Sequence, residues 1–115
     1  MRKKVSHKEL FDTLPESIVI MDKDFTVLEM NDFAESTFRI SREKAYGKRS
    51  STFMPVEVEE VALMAMAESR TIFGDEINPV LRGGERIAIQ PVATPLFALS
   101  GELKGVILLL KDLSG

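Results

Sequence analysis

The chain has 115 residues, of which 44% are hydrophobic and 29% are charged, a balance typical of one globular domain with its own core. Its net charge of −3 argues against a basic face, so we expect neither nucleic acid nor an anionic membrane surface as a partner. Because cysteine is absent, disulfides, thiolate metal ligands and a cysteine nucleophile are excluded. The composition fits the cytoplasm, and no apolar run is long enough for membrane insertion.

The N-terminal part of the chain predicts a short helix and then a β-hairpin. Residues 5–14 have the i, i+3, i+4, i+7 spacing of an amphipathic helix, carried by His7, Leu10, Phe11 and Leu14. Pro15 ends this helix, because the residue before a proline disfavours the helical region. Residues 18–21 and 25–30 are apolar strands, joined by a turn at Asp22, Lys23 and Asp24.

Three further helices are predicted next. Asn31 stands at an N-cap position, where its side chain can accept hydrogen bonds from the amides of the first turn. Ser41, followed by Glu43, predicts a second, short helix that ends at Gly47. Pro55 suits the first position of the third helix, and residues 56–70 contain no helix breaker, so this helix is the longest.

The remainder of the chain predicts three strands, at residues 73–81, 86–97 and 103–111. Pro79, Pro91 and Pro95 each lack an amide donor for the sheet, so we expect a bulge or a free edge there. The two groups of strands are separated by helices and do not alternate with them as parallel crossover units would. The chain is therefore predicted to be α+β with an antiparallel sheet.

Three local patterns resemble the PAS family. The first is Leu14-Pro15-Glu16 leading into residues 18–22. The second is an Asn-x-x-Ala helix with a closing glycine, formed by Asn31, Ala34, Phe38 and Gly47. The third consists of Thr94-Pro95-Leu96, Gly101, Gly105-Val106 and Lys111-Asp112-Leu113-Ser114, whose end is similar to the Asp-Ile-Thr motif that closes many PAS domains.

The resemblance spans residues 10–114 and implies the fold. A PAS domain has a five-stranded antiparallel sheet in the order 2-1-5-4-3, with helices packed over one face. We expect residues 1–14 to form the N-terminal amphipathic helix and residues 15–115 to form the PAS domain.

The family's known cofactors can be compared with these residues. Photoactive flavin and cysteine-linked chromophores both need a cysteine, so the chain excludes them. Haem is not expected either, because residues 56–70 contain no histidine, although Met64 or Met66 could be weak ligands. No single residue excludes non-covalent flavin, and the cofactor stays unknown. Asp22, Asp24 and Asp32 are explained by turn and cap chemistry, so no metal site is predicted.

In the PAS family a ligand pocket lies between the long helix and the inner face of the sheet. The resemblance places there Phe53, Val61, Met64, Ala65, Ile77, Ile87, Ile89, Ile107 and Leu109. Gln90 and Thr94 would supply the few polar contacts that a ligand site needs. The same side chains can also fill a dry core, so a small apolar ligand and a ligand-free core are both open.

The last strand is apolar on both faces over residues 106–110, whereas a strand with one solvated face alternates. The outer face of the sheet is therefore expected to be covered. We expect both that the leading helix docks on the outer sheet within one chain and that it helps two chains to form a homodimer. The predicted outer-sheet and dimer surface consists of Leu10, Phe11, Leu14, Val106, Leu108 and Leu110.

These features predict a sensory module rather than an enzyme. The resemblance implies that Asp112, Leu113 and Ser114 relay a ligand- or dimer-dependent change to a C-terminal output domain, as in bacterial sensor histidine kinases. The alternative is a constitutive homodimerisation module without a ligand. No catalytic residue is predicted, because His7 is interpreted as an ordinary surface histidine and the strands supply mostly apolar side chains.

Overall fold

A computed structural model describes residues 6–81 and 83–113. Five antiparallel strands form one sheet in the order β2-β1-β5-β4-β3, so the α+β class and the strand order are confirmed. The helices are α1 (His7–Thr13), α2 (Asp32–Phe38), α3 (Arg42–Ala45), a 3₁₀ turn (Ser50–Thr52) and α4 (Val56–Glu68). The strands are β1 (Ser17–Asp22), β2 (Val27–Met30), β3 (Ile72–Phe73), β4 (Ile89–Phe97) and β5 (Leu103–Asp112).

The core lies between the inner face of the sheet and the helices α2, α3 and α4. On the sheet side, Val19 of β1 pairs with Leu108 of β5, and both side chains are fully buried. On the helix side, the rings of Phe38 and Phe53 meet edge to face with their centroids 5.1 Å apart. Each such side chain removes apolar surface from water and stabilises the fold by about 1.5–3 kcal/mol.

The two faces of β5 are the reverse of those predicted. Val106, Leu108 and Leu110 were expected on the outer face, and this is wrong, because all three lie in the core. Ile107 and Leu109 lie on the outer face and are half-buried. The pairing with β1 sets these faces, since directly paired residues of an antiparallel ladder share a face. Side chains alternate along a strand, so an error of one residue exchanges the faces.

The third and fourth strands are shorter than predicted. β3 contains only Ile72–Phe73, and the remainder of the expected strand touches the sheet through isolated bridges such as Ile77 to Ile89. β4 begins at Ile89 rather than at residue 86. Pro79 lies in the segment that leaves the sheet, where its missing amide donor interrupts no ladder.

Pro91 and Pro95 lie inside β4 without breaking its ladder with β5. The Pro91 carbonyl accepts a hydrogen bond from the Gly74 amide at 2.8 Å, so the missing amide of Pro91 faces the β3 side. There Gln90 Nε2 donates to the Gly74 carbonyl oxygen at 3.1 Å and takes the place of that donor. Pro95 lies four residues further along the strand, so its missing amide faces the same side, past the end of β3.

Asn31 connects the first helix, the first strand and the second helix. Its Oδ1 accepts hydrogen bonds from the amides of Ile18 and Ala34, each at 3.0 Å, so it caps α2 and holds β1. Its Nδ2 donates to the carbonyl oxygens of Glu16 at 2.8 Å and Phe11 at 3.2 Å. The side chain is fully buried and all of these bonds are satisfied. The N-cap role predicted for Asn31 is therefore confirmed, and the other three bonds extend it.

We expect Asn31→Ala to lower the free energy of unfolding by about 3 kcal/mol or more, because it removes a helix cap and leaves buried amide and carbonyl groups unpaired. Asn31→Ser keeps a cap acceptor and should cost less. Urea denaturation followed by circular dichroism measures both values. The control is Asn78→Ala, at an exposed asparagine. A loss for Asn31→Ala equal to that of the control would contradict this account of Asn31.

Candidate functional site

A cleft of about 340 Å³ lies between α4 and the segment that follows β3. One wall is a single face of α4, because Glu57, Glu60, Val61 and Met64 follow the i, i+3, i+4, i+7 spacing. The other wall is formed by Ile72, Phe73, Gly74, Asp75, Ile77 and Pro91. The carboxylates are exposed at the rim, and apolar side chains lie between them, so the cleft suits a small and mainly apolar molecule.

Gly74 lets the two walls of this cleft approach each other. A Cβ atom at this position would lie 2.8 Å from Val61 Cγ2 and 2.9 Å from Pro91 Cγ, closer than packed carbon atoms allow. Any larger residue would therefore force the Val61 and Pro91 side chains out of their present positions.

Six residues of the predicted pocket lie in the core or pack against it, so much of the predicted pocket is filled by side chains. Phe53, Ala65 and Ile89 are buried in the core, and Val61, Ile77 and Ile87 pack half-buried against that core. Met64 is 46% exposed beside the cleft. Of the predicted pocket residues, Val61, Met64 and Ile77 line this cleft.

Four predicted pocket residues lie on the other face of the sheet, and their assignment to the pocket is wrong. Ile107 and Leu109 point outward because their neighbours in β5 fill the core. Gln90 and Thr94 alternate with Pro91 and with Ala93, which lies in the core. Gln90 bonds to the Gly74 carbonyl, and Thr94 is exposed with its Oγ1 3.0 Å from Thr71 Oγ1. Both residues therefore make their polar contacts with neighbouring residues at the edge of the sheet.

A second cleft, of about 550 Å³, was not predicted from the sequence. It lies where the start of α4 faces the segment before β4, and Phe53, Pro55, Asn78, Leu81 and Arg86 are among its lining residues. The cleft exists because this segment leaves the sheet after β3. The sequence predicted a longer third strand there and therefore gave no sign of the cleft. Phe53 is the predicted pocket residue that reaches it.

Arg42 at the start of α3 binds three carboxylates, an arrangement that we call the Arg42 clamp. Its Nη2 lies 2.9 Å from Glu35 Oε1 and 3.2 Å from Asp12 Oδ1, and it also contacts Asp32 Oδ1. The Arg42 amide donates to Glu35 Oε2 at 2.8 Å. Asp12 belongs to α1 and is bound in addition by Lys8 at 2.9 Å. The clamp therefore joins α1 to α2 and α3.

The clamp shifts the pKa values of its members. The hydrogen bond from Lys8, and then Arg42, hold the pKa of Asp12 below its ordinary value. The Arg42 amide and guanidinium lower the pKa of Glu35, and the bond to Glu35 raises the pKa of Arg42. No sequence pattern singled out this cluster, because Asp12 and Arg42 are far apart along the chain and meet only in the folded state.

Beneath α1 lies a third cleft, of about 510 Å³. His7, Lys8 and Phe11 form its α1 wall, and Ile20, Glu29, Arg42 and Tyr46 form the others. The Tyr46 hydroxyl donates to Glu29 Oε2 at 3.1 Å, and burial raises the pKa of this phenol. The cleft leaves open space between α1 and the sheet at Ile20, so α1 does not seal against the sheet.

The predicted relay residues lie at the end of β5. Asp112 is the last residue of the strand and pairs with Ile89 of β4. The Leu113 amide donates to the Ala88 carbonyl oxygen at 2.8 Å, so the chain leaves the sheet beside the start of β4. Ser114 lies outside the described residues.

Within residues 6–81 and 83–113, no group of three or more histidine, aspartate or glutamate side chains is placed to hold a metal ion. The Asp22 carboxylate accepts from the amides of Asp24 at 2.9 Å and Thr26 at 3.0 Å, which is turn chemistry. In the same described part of the chain, no helix has the length and apolar character required to span a bilayer.

The profile of the family described as "PAS fold" matches residues 11–115, and the chain therefore belongs to the PAS family. No curated protein sequence gives a significant match. Among solved structures, the PAS domain of a protein from Colwellia psychrerythraea is 20% identical with a TM-score of 0.77, and 92% of each chain is covered.

Two further similar structures come from signalling proteins. The PAS domain of the histidine kinase ThkA is 27% identical with a TM-score of 0.66, covering 84% of this chain and 99% of that one. A dimer of VqmA from Vibrio cholerae, a LuxR-type receptor with a DNA target, is 18% identical with a TM-score of 0.80. It is matched over 96% of this chain and 53% of that chain, so this chain spans about half of it.

Proposed function

We propose that this PAS domain is a cytoplasmic sensory module of a larger sensor histidine kinase, and that it binds and relays rather than catalyses. The cleft between α4 and β3 is the observation on which the sensing role rests, because Val61, Met64 and Ile77 meet there beside the core. The kinase assignment draws support from the similarity to the PAS domain of ThkA. The competing assignment is a DNA-binding output domain, because the domain is also similar to VqmA, a LuxR-type receptor with a DNA target.

The proposed ligand is a small molecule with a mainly apolar surface, held between Val61 and Ile77. A ligand in this position would press on α4, whose inner residues Ala62 and Ala65 pack in the core. Such contact gives the ligand different affinities for two packings of α4, which is the condition for a population shift. The interior behind the cleft is already filled, and this favours the ligand-free dimerisation module as the second candidate.

Native mass spectrometry of the purified chain, with an absorbance spectrum of the same sample, tests for a bound molecule. We expect extra mass on the folded protein that is lost on denaturation. Val61→Trp should remove it by filling the cleft, whereas Leu63→Trp, on an exposed part of α4, should retain it. An apo mass for the unaltered chain, with no rise in melting temperature across a metabolite library, would favour the dimerisation module instead.

We further propose that the domain forms a homodimer through the outer face of the sheet. The corrected surface contains the half-buried side chains Ile107, Leu109, Val92 and Leu96. These apolar side chains are partly open to solvent in one chain, and a second copy related by a two-fold axis would cover them.

Leu109→Glu should shift the dimer to monomer, because it places a charge in the apolar centre of the proposed interface. Sedimentation equilibrium measures the dissociation constant, which we expect to rise by about tenfold or more. Leu63→Glu, on the exposed face of α4, is the matched control and should leave the constant unchanged. An unchanged dissociation constant for Leu109→Glu would argue against this interface.

The relay to the output domain is proposed to start at Asp112, where β5 ends. Asp112→Ala in the full-length protein should uncouple kinase autophosphorylation from the ligand, while the circular dichroism spectrum of the domain stays the same. Lys111→Ala, at the exposed neighbour, is the control and should respond normally. A normal response in Asp112→Ala would remove the relay role from this residue.

A further inference from the structure

The first helix is attached to the domain by polar contacts more than by hydrophobic burial. α1 contains no buried residue, and Leu10 is 55% exposed. Phe11 is its one half-buried large apolar side chain, and it faces the open cleft of about 510 Å³. A seven-residue helix is unstable alone in water, so α1 depends on whatever docks it.

Two polar connections dock α1. Asp12 Oδ1 binds Arg42 Nη2 and accepts from the Asp32 amide, both at 3.2 Å. The Phe11 carbonyl oxygen accepts from Asn31 Nδ2 at 3.2 Å. The charged connection is the stronger kind, since a hydrogen bond between ionised groups contributes more than one between neutral groups.

Each charged partner keeps a counter-charge when α1 separates. Arg42 is held on its own side by the side chain of Glu35 and by Asp32, with or without Asp12. Asp12 is held on its own helix by Lys8, one turn earlier. Separation therefore leaves no isolated charge in a buried place, which keeps its free-energy cost small.

We propose that α1 is a releasable strap, which docks on α2 and α3 as a helix and loses that helix when it separates, while the sheet and the inner helices stay folded. The Arg42 clamp sets the balance between the two states. Separation removes the wall of His7, Lys8 and Phe11 from the cleft and uncovers the outer side of β1 at Ile20. This inference concerns docking alone and does not depend on the proposed kinase or ligand.

Ionic strength and acid pH should both favour the separated state. Asp12 is faced by Lys8 of α1, by Asp32 and Glu35 of α2 and by Arg42 of α3, while His7, Glu29 and Tyr46 stand around the adjoining cleft. The pKa of Asp12 is lowered in the docked state, first by Lys8 of its own helix and then by Arg42 of α3. The Arg42 part is the contribution to docking, which is complete above the ordinary value near pH 4 and is lost as the pH falls through the lowered value.

Amide hydrogen exchange by NMR tests the strap. The Leu10 amide, bonded to the Ser6 carbonyl oxygen at 3.0 Å, reports on α1, and the Leu108 amide reports on the central strand β5. In Asp12→Asn at neutral pH, exchange at Leu10 should rise by about fivefold or more, with exchange at Leu108 unchanged. Raising the salt from low to about 0.5 M should give the same selective rise in the unaltered chain.

Two further variants complete the test. Arg70→Gln breaks the exposed Arg70–Glu68 pair and should change neither amide. Asp12→Asn should have a smaller effect in an Arg42→Gln background, since the Arg42 contact is gone while Lys8 and the Asp32 amide still bind Asp12. Three results would overturn the proposal: no rise at Leu10 in Asp12→Asn, an equal rise at Leu108, or the same rise in Arg70→Gln. An unaltered chain whose α1 exchange is independent of salt would overturn it as well.

Discussion

One buried amide side chain fixes where the parts of this domain meet. Asn31 accepts from the amides of Ile18 in β1 and Ala34 in α2, and it donates to the carbonyl groups of Phe11 in α1 and of Glu16, which precedes β1. An amide side chain can do this because it has two donor hydrogens and an acceptor oxygen. A carboxylate has no donor, and a hydroxyl has a single donor hydrogen. The bond to Phe11 holds α1 beside α2, and in this arrangement Asp12 and Arg42 meet in the Arg42 clamp.

The sequence was sufficient wherever a local signal decides the structure. The caps at Asn31 and Ser41, the turn at Asp22 and the long helix after Pro55 each depend on residues within a few positions. The strand order came from the resemblance to the PAS family rather than from the residues, and the sheet has that order.

The faces of β5 illustrate what the sequence could not decide. Alternation between apolar and polar residues is the signal that identifies an inner face, and residues 106–110 carry apolar side chains without interruption. Only the register with β1, in which Val19 stands opposite Leu108, selects one set for the core. Because the pocket and dimer assignments both relied on that choice, one error placed Ile107 and Leu109 in the pocket, whereas they lie on the outer face. The second and third clefts were missed for a related reason, since they arise where chain segments distant in sequence fail to close together.

The prolines of β4 have a consequence for how copies of this chain meet in solution. β3 covers only a short part of the β4 edge, and an uncovered strand edge normally offers a row of amides and carbonyls to any other extended chain. Pro95 removes a donor from the uncovered part of that row, while at Pro91 the edge is covered by Gly74, whose amide donates to the Pro91 carbonyl and whose carbonyl accepts from Gln90. The edge is thus a poor template for strand addition, which lets the domain keep a short third strand without joining other molecules into an extended sheet.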